Sequence, residues 1–290
     1  MVVTTTIKKP SFDWPVQGSS AVAIPSLCVA AKSPSQPVVP IASLTKMMTT
    51  WVVLHQLPLS YTQRGPCLIV NAAQVAQWRH DVDSGQSNAA IALGERLCEG
   101  TLLRGLLVHS AGNFADLLRT LIGWSQATFV RVMNRDARLL GLTHTHYVDL
   151  SGIDPLDRST AYDQAIMAVD LMSSEPIVDQ IVALPRVTLP VAGTLGSYTP
   201  LVGTNGVVGV KSGFTDEAGG CDVMAVRMRI GKVTLLTYAV VLGQFGGDPL
   251  GVAGNAALSL TRSLRPSIAY VGSGSDPSVK WVGSPKVVLP

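Results

Sequence analysis

From Ser43 the run SLTKMMTTWVVLHQL places apolar residues on nearly every face, contains no Gly or Pro, and stops before Pro58. It predicts a helix buried on most sides. Upstream, residues 20–31 (SAVAIPSLCVAA) are small and apolar and predict a strand with an irregularity at Pro25. Pro34, Pro37 and Pro40 punctuate the loop between the two. From about residue 60 to 170 helical spacing dominates. GERLCEGTLLRGLLVHS and NFADLLRTLIGWSQATFVRVMNRDARLLGL repeat Leu, Val, Ile and Met every three or four residues, and Gly141 and Thr143 end the second run. DLSGIDPLDRSTAYDQAIMAVDLM reads as a loop and then a helix, with Ser159 or Thr160 as N-cap.

After Pro185 the period shortens. VTLPVAG, GVVGVKSG, GCDVMAVRMRIG and KVTLLTYAVVLG are β-branched and separated by glycine-containing breaks. They predict antiparallel strands, the last two joined in a hairpin around Gly231-Lys232. A helix over residues 249–264 and a Gly/Ser/Pro-rich tail from Val271 complete the chain. The expected fold class is α+β: an antiparallel β-sheet flanked by helices, occupying residues 14–265, with an all-α lobe at about 60–170 inserted between parts of the sheet. Residues 1–13 and 271–290 are expected as irregular tails. No repeat or low-complexity linker divides the chain.

Composition narrows the possibilities. In 290 residues, 47% are hydrophobic and 14% charged, which excludes a disordered chain and leaves ample material for a core. Lys plus Arg number 22 against 19 Asp plus Glu, a net charge of +3 that argues against nucleic acid as a partner. The mean hydropathy of +0.33 raises the question of a membrane span. The longest strongly apolar stretch, Val233 to Leu242, is about half of the roughly 20 residues a span needs. Membrane association is therefore not expected from this chain. No apolar segment follows Lys8 and Lys9, so no export signal is legible. Cys28, Cys67, Cys98 and Cys221 are widely spaced without a C-x-x-C pair, which excludes a zinc site and predicts buried free thiols with at most one bridge.

Three short elements carry candidate chemistry. Ser43-Leu44-Thr45-Lys46 places a hydroxyl and an amine three residues apart, on one face of a helix. A serine becomes a nucleophile when a neighbouring base takes its proton, and burial lowers a lysine pKa toward that role. The bland reading is Ser43 as a helix N-cap. His109-Ser110-Ala111-Gly112-Asn113 follows between two helical runs, where a second hydroxyl and an amide serve either a substrate or ordinary turn chemistry. Val210-Lys211-Ser212-Gly213 lies on a predicted strand, suited to an extended peptide ending in a carboxylate. GTNGVVGVKS is glycine-rich, but Val210 separates its last Gly from the Lys and strands follow, so it is not a phosphate-binding loop.

In this order, S-x-x-K, a serine corner and K-S-G match the penicillin-binding pattern. The chain resembles the serine D-alanyl-D-alanine carboxypeptidases, the low-molecular-mass penicillin-binding proteins (peptidase family S11), in their actinobacterial style. PIASLTKMMT, LLVHSAGNFADLL, MNRDARLLGLTHTHYVDLSGIDP, STAYDQAIMA and GVVGVKSGFTDEAGGC carry the likeness over residues 14–262. It implies a β-lactamase/DD-peptidase-like fold. It also implies Ser43 as acylated nucleophile, Lys46 as general base, Ser110 as proton relay, and Lys211 and Ser212 as binders of the substrate's terminal carboxylate. The backbone N–H of Ser43 and one from the strand after Gly213 would form the oxyanion hole. The implied partners are peptidoglycan stem peptides ending in D-Ala-D-Ala, and β-lactam antibiotics on the same serine. No metal or organic cofactor is implied. The substrate places the protein outside the cytoplasmic membrane.

Two positions depart from the family. Ser212 stands for the threonine of K-T-G and keeps the hydroxyl. Gly112 stands where S-x-N has its asparagine, and Asn113 follows one residue later. Either the backbone shifts so that Asn113 binds substrate, which is the expectation adopted, or the site lacks that amide. A non-enzymatic peptidoglycan-binding protein and a β-lactamase are the alternatives. The latter is disfavoured because no E-x-x-L-N segment lies between the second and third motifs. A Ser-His-Asp hydrolase is disfavoured because no G-x-S-x-G elbow is present, and His144 and His146 are expected to be surface or structural.

Overall fold

The computed structural model describes residues 12–83, 85–270 and 278–281. Ser19–Ile24 (β1) and Val29–Lys32 (β2) pair antiparallel around a 3₁₀ turn at Pro25–Leu27. The segment expected as one strand is thus a hairpin. Pro25 has no N–H for a ladder and begins the turn instead. Val39–Pro40 (β3) leads to a second 3₁₀ turn, Ala42–Leu44, and into Thr45–Gln56 (α1), which is buried from Thr45 to Leu54.

The lobe that follows is not purely helical. Cys67–Ile69 (β4) and Arg96–Cys98 (β5) pair antiparallel, and a disulfide joins Cys67 to Cys98. Between them lies Ala72–Asp83 (α2). Glu99–Val108 (α3), Gly112–Ile122 (α4) and Gln126–Leu139 (α5) come next. The long run expected after Asn113 is divided because Gly123, at φ +83°, ends α4, and Ser125 caps α5 by accepting from Thr128 N–H at 3.2 Å. Arg158–Ser159 (β6) pairs with β3, and Ala161–Ser174 (α6) is capped by Thr160 rather than Ser159. Pro176–Val182 (α7) is a short helix that the pattern did not reveal.

Arg186–Leu189 (β7) and Gly193–Gly196 (β8) form a small ribbon before the main strands Val207–Thr215 (β9), Gly219–Ile230 (β10) and Val233–Gln244 (β11). Pro249–Ser263 (α8) follows. The five-stranded antiparallel sheet runs β2-β1-β11-β10-β9, which leaves β9 at an edge. One sheet face supports α8 through an apolar layer that includes Val22, Met224, Val241 and Leu260; the other carries the larger core shared with the helical lobe. The fold is α+β, and the apolar stretch Val233–Leu242 is the central strand β11, not a span. Among the described residues no helix is long and apolar enough to cross a membrane.

The ends differ from expectation where they are described. Phe12 and Trp14 pack against the α8-side core, and Ile268–Tyr270 (β12) pairs with Val279–Trp281 (β13), so part of the expected irregular tail is a strand. The remaining tail positions lie outside the described residues. Of the two free cysteines Cys221 is buried, whereas Cys28 is exposed, against the expectation for it.

Candidate active site

Ser43 sits in the 3₁₀ turn ahead of α1. Lys46 Nζ donates to Ser43 Oγ at 2.7 Å and to the Ser151 carbonyl at 2.6 Å. The capping reading of Ser43 does not hold, because the N-cap of α1 is Leu44 and no side chain caps it. Lys46 is 2% exposed, and burial lowers its pKa to about 8 against the opposing pull of the Asp149 and Asp157 carboxylates. A lysine so placed is neutral in a useful fraction of molecules near neutral pH and stands within reach of the Ser43 proton.

The backbone around Ser43 is held tightly. Ala42 and Ser110 both adopt left-handed conformations, at φ +47° and +60°, and each costs about 1–2 kcal/mol for a residue with a Cβ. A Cβ on Gly213 would stand 2.5 Å from Ser43 N, and one on Gly152 would stand 1.8 Å from Ala42 O. Glycine at these two positions lets β9 and the 151–153 loop close on the nucleophile from both sides.

A cavity of ≈ 280 Å³ opens here. Its wall includes Ser43, Lys46, Ser110, Gly112, Ser212 and Gly213, so the three sequence elements meet in one place. Ser110 is 3% exposed at the junction of α3 and α4. Ser212 Oγ donates to Tyr198 O at 2.8 Å. Lys211 is fully buried beneath the wall, its Nζ donating to Ser212 O at 2.6 Å. Burial and the neighbouring Lys46 charge push the Lys211 pKa well down, and Asp222 opposes them. Both Asp222 oxygens are buried without a hydrogen-bond partner among the described residues, and burial pushes that carboxyl well up.

Asn113 is not brought to the cavity. Its Oδ1 accepts from Ala89 N–H at 3.1 Å and its Nδ2 donates to Ala89 O at 2.9 Å, both buried. Successive helical residues point about 100° apart. With Gly112 on the cavity wall, Asn113 in the first turn of α4 turns toward the 85–92 segment. The structure therefore does not bring Asn113 together with the other site residues expected from the sequence; its amide braces Ala89.

Two carboxylates escaped the sequence reading. Asp149 accepts from four consecutive backbone N–H groups, Ser151 and Gly152 at 2.6 Å, Ile153 at 3.0 Å and Asp154 at 2.8 Å. It shapes the loop whose Ser151 carbonyl holds Lys46, and the spacing Asp149-x-Ser151-Gly152 is the turn signal by which the sequence could have revealed it. Asp157 accepts from Thr45 Oγ1 at 2.7 Å, Val148 N–H at 2.6 Å and Asp149 N–H at 3.1 Å. Burial, then the Asp149 charge, push Asp157 up to about 7 against those bonds. Nothing in its sequence neighbourhood marks it. Among the described residues no histidine and no carboxylate lines the cavity, and no cluster of three metal-ligating side chains occurs. His144 is exposed and 3.9 Å from Asp163, and His146 takes part in a backbone bridge with Arg158.

The chain matches the family model of D-alanyl-D-alanine carboxypeptidase, peptidase S11, over residues 19–246. It belongs to that family. Among curated D-alanyl-D-alanine peptidases it is 28% identical to the carboxypeptidase DacF of Bacillus subtilis over 70% of this chain and 50% of that protein. It is 31% identical to a D-alanyl-D-alanine endopeptidase of Pseudomonas aeruginosa over 72% of this chain and 65% of that protein. The chain thus spans half to two thirds of the length of these relatives. Penicillin-binding protein D2 of Listeria monocytogenes, solved with ampicillin bound, superposes with a TM-score of 0.66 at 26% identity, covering 85% of this chain and 96% of that one. Penicillin-binding protein 6B of Escherichia coli shares the fold with a TM-score of 0.77 at 24% identity, covering 96% of this chain and 88% of that one. As a carboxypeptidase-family chain it departs from the S-x-N motif in space as well as in sequence, since no side chain at 112 reaches the cavity and that of Asn113 is tied to Ala89.

Proposed function

We propose that the protein is a serine-type D-Ala-D-Ala carboxypeptidase acting on peptidoglycan stem peptides outside the cytoplasmic membrane, and that β-lactams acylate the same serine. The 2.7 Å contact between Lys46 Nζ and Ser43 Oγ, with Lys46 buried and lowered to about 8, carries this reading. Neutral Lys46 takes the Ser43 proton as Oγ attacks the carbonyl carbon of the penultimate D-Ala. The backbone N–H of Ser43 and one from β9 beyond Gly213 hold the oxyanion. Collapse breaks the peptide bond and releases the terminal D-Ala, whose amine takes its proton through Ser110. Water then hydrolyses the Ser43 ester, with Lys46 again as base. Ser212 on the wall receives the substrate carboxylate, with Lys211 buried behind it, and a wall without a carboxylate among the described residues disfavours the β-lactamase alternative.

The glycine at 112 favours a second reading, a penicillin-binding fold that holds peptidoglycan but turns over little. Intact mass after incubation with benzylpenicillin, wild type beside Ser43→Ala, tests the proposal. One penicilloyl group added to the wild type alone is the expected result; no adduct on folded wild type overturns it. Turnover of a D-Ala-D-Ala peptide separates an enzyme from a binder.

A further inference from the structure

The space beside Gly112 is occupied by another segment of the chain. Gly112 N–H donates to Ser87 O at 2.7 Å, and Asn113 N–H donates to Asn88 Oδ1 at 3.1 Å. The Asn113 amide clasps Ala89 through both its backbone groups. Residues 87–89 are thereby laced to the first turn of α4. A Cβ at 112 would stand 3.2 Å from Ser87 O and 3.8 Å from Asn88 Oδ1, so this segment borders the direction a side chain there would take. The lacing continues to Gln86, whose carbonyl accepts from Asn88 Nδ2 at 3.0 Å and whose N–H donates to Asp81 O at 3.1 Å. Gln86 is half-buried and lines the cavity with Ser43, Lys46 and Ser110; among the described residues it is the one residue of that wall with a carboxamide side chain.

We propose that Gln86 supplies the carboxamide that position 112 lacks. It is a substrate-binding residue whose Nε2–H₂ donates to, and whose Oε1 accepts from, the backbone amide of the acyl donor next to the scissile bond. The ligand class follows from that chemistry: peptides, and β-lactams that carry an acylamino side chain. Asn113, freed from substrate, holds the segment that presents Gln86. The inference rests on Ser43 being the acylated residue.

The test compares acylation of Gln86→Ala and wild type by two probes, benzylpenicillin, which carries an acylamino group, and 6-aminopenicillanic acid, which does not. Loss of one such hydrogen bond slows acylation by roughly one to two decades. That loss is expected for benzylpenicillin, with a change of less than about threefold for 6-aminopenicillanic acid and an unaltered melting temperature. Gln86→Glu, which keeps the shape and loses the N–H donors, is expected to behave like Gln86→Ala. Gly112→Asn in the Gln86→Ala background is expected to recover benzylpenicillin acylation. Equal slowing of both probes, or no slowing of either, overturns the role of Gln86 while the Ser43 adduct on wild type still stands. Absence of that adduct from folded wild type removes the functional reading and this inference together.

Discussion

The two walls of the cavity are built differently. On one, Ser43 and Lys46 meet within a single turn, three residues apart, and β9 closes over them at Gly213. On the other, Gly112 and Asn113 are held by residues 87–89, 24 or 25 positions away along the chain. The first wall carries its chemistry in local spacing, where no substitution elsewhere replaces it. The second is assembled by long-range lacing, where an amide present in one segment can be given up and another presented nearby without a change of fold. On the proposed roles, reactivity is thus concentrated where the chain is least able to compromise, and recognition where it has room to vary.

The largest test of this contrast is Lys46→Ala, which is expected to slow acylation by roughly 10²–10⁴-fold while the protein stays folded, since a buried amine is removed. Stopped-flow or mass-resolved acylation rates measure it; a loss below tenfold would remove Lys46 as the base. In the wild type the same rate is expected to rise with pH, reach half its plateau near 8 and level off about a unit higher, because the ammonium must lose its proton before it can accept one from Ser43.

Next comes the foundation of the second wall. Glu99 opens α3, the helix that leads to Ser110, and both its oxygens are buried without a hydrogen-bond partner among the described residues. Burial raises its pKa from 4.5 to about 7. The folded protein holds a proton that the unfolded chain releases above about 4.5, so this stabilising contribution is complete below that pH and is lost as pH rises through about 7. Denaturant titrations are expected to show roughly 2 kcal/mol of stability lost across the window, and Glu99→Gln to flatten it. An unchanged profile in Glu99→Gln would assign the slope elsewhere.

Asn113→Ala is expected to cost about 1–3 kcal/mol, because the buried N–H and C=O of Ala89 lose their partner. Its effect on 6-aminopenicillanic acid acylation is expected to stay within a few fold. A selective collapse of that rate with full stability would make Asn113 part of the chemistry and erase the distinction between the walls. The smallest effect belongs to His144→Ala, expected within about 0.5 kcal/mol in stability and neutral in acylation.

Much of the first wall was legible because S-x-x-K and K-S-G are short and local, and the β10–β11 hairpin because two β-branched runs flank the break at Gly231-Lys232. The second wall was legible only to the level of its motif. Whether Asn113 faces the cavity depends on a phase difference of one helical residue, which a motif written in letters does not carry. Gln86 lies in a stretch with no periodicity, and its place is set by its own bonds to Asp81 and Asn88 and by those of residues 87–89 to α4. Asp157 acts through Thr45, Val148 and Asp149, three partners that only folding assembles. The single strand expected over 20–31 failed for the opposite reason, since a proline read as a blemish was the instruction to turn.

The bridge between Cys67 and Cys98 closes the chain into a ring that contains α2 and the segment carrying Gln86. By chain entropy, a loop of this size confers about 3–4 kcal/mol by shrinking the set of shapes open to the unfolded ring. Reduction cuts the ring while leaving Ser43 and Lys46 untouched. On the proposed role of Gln86, the oxidant of the surroundings thereby acts on the recognising wall of the cavity and passes over the reacting one, so that exposure to thiols would alter which ligands are chosen before it altered how fast they react.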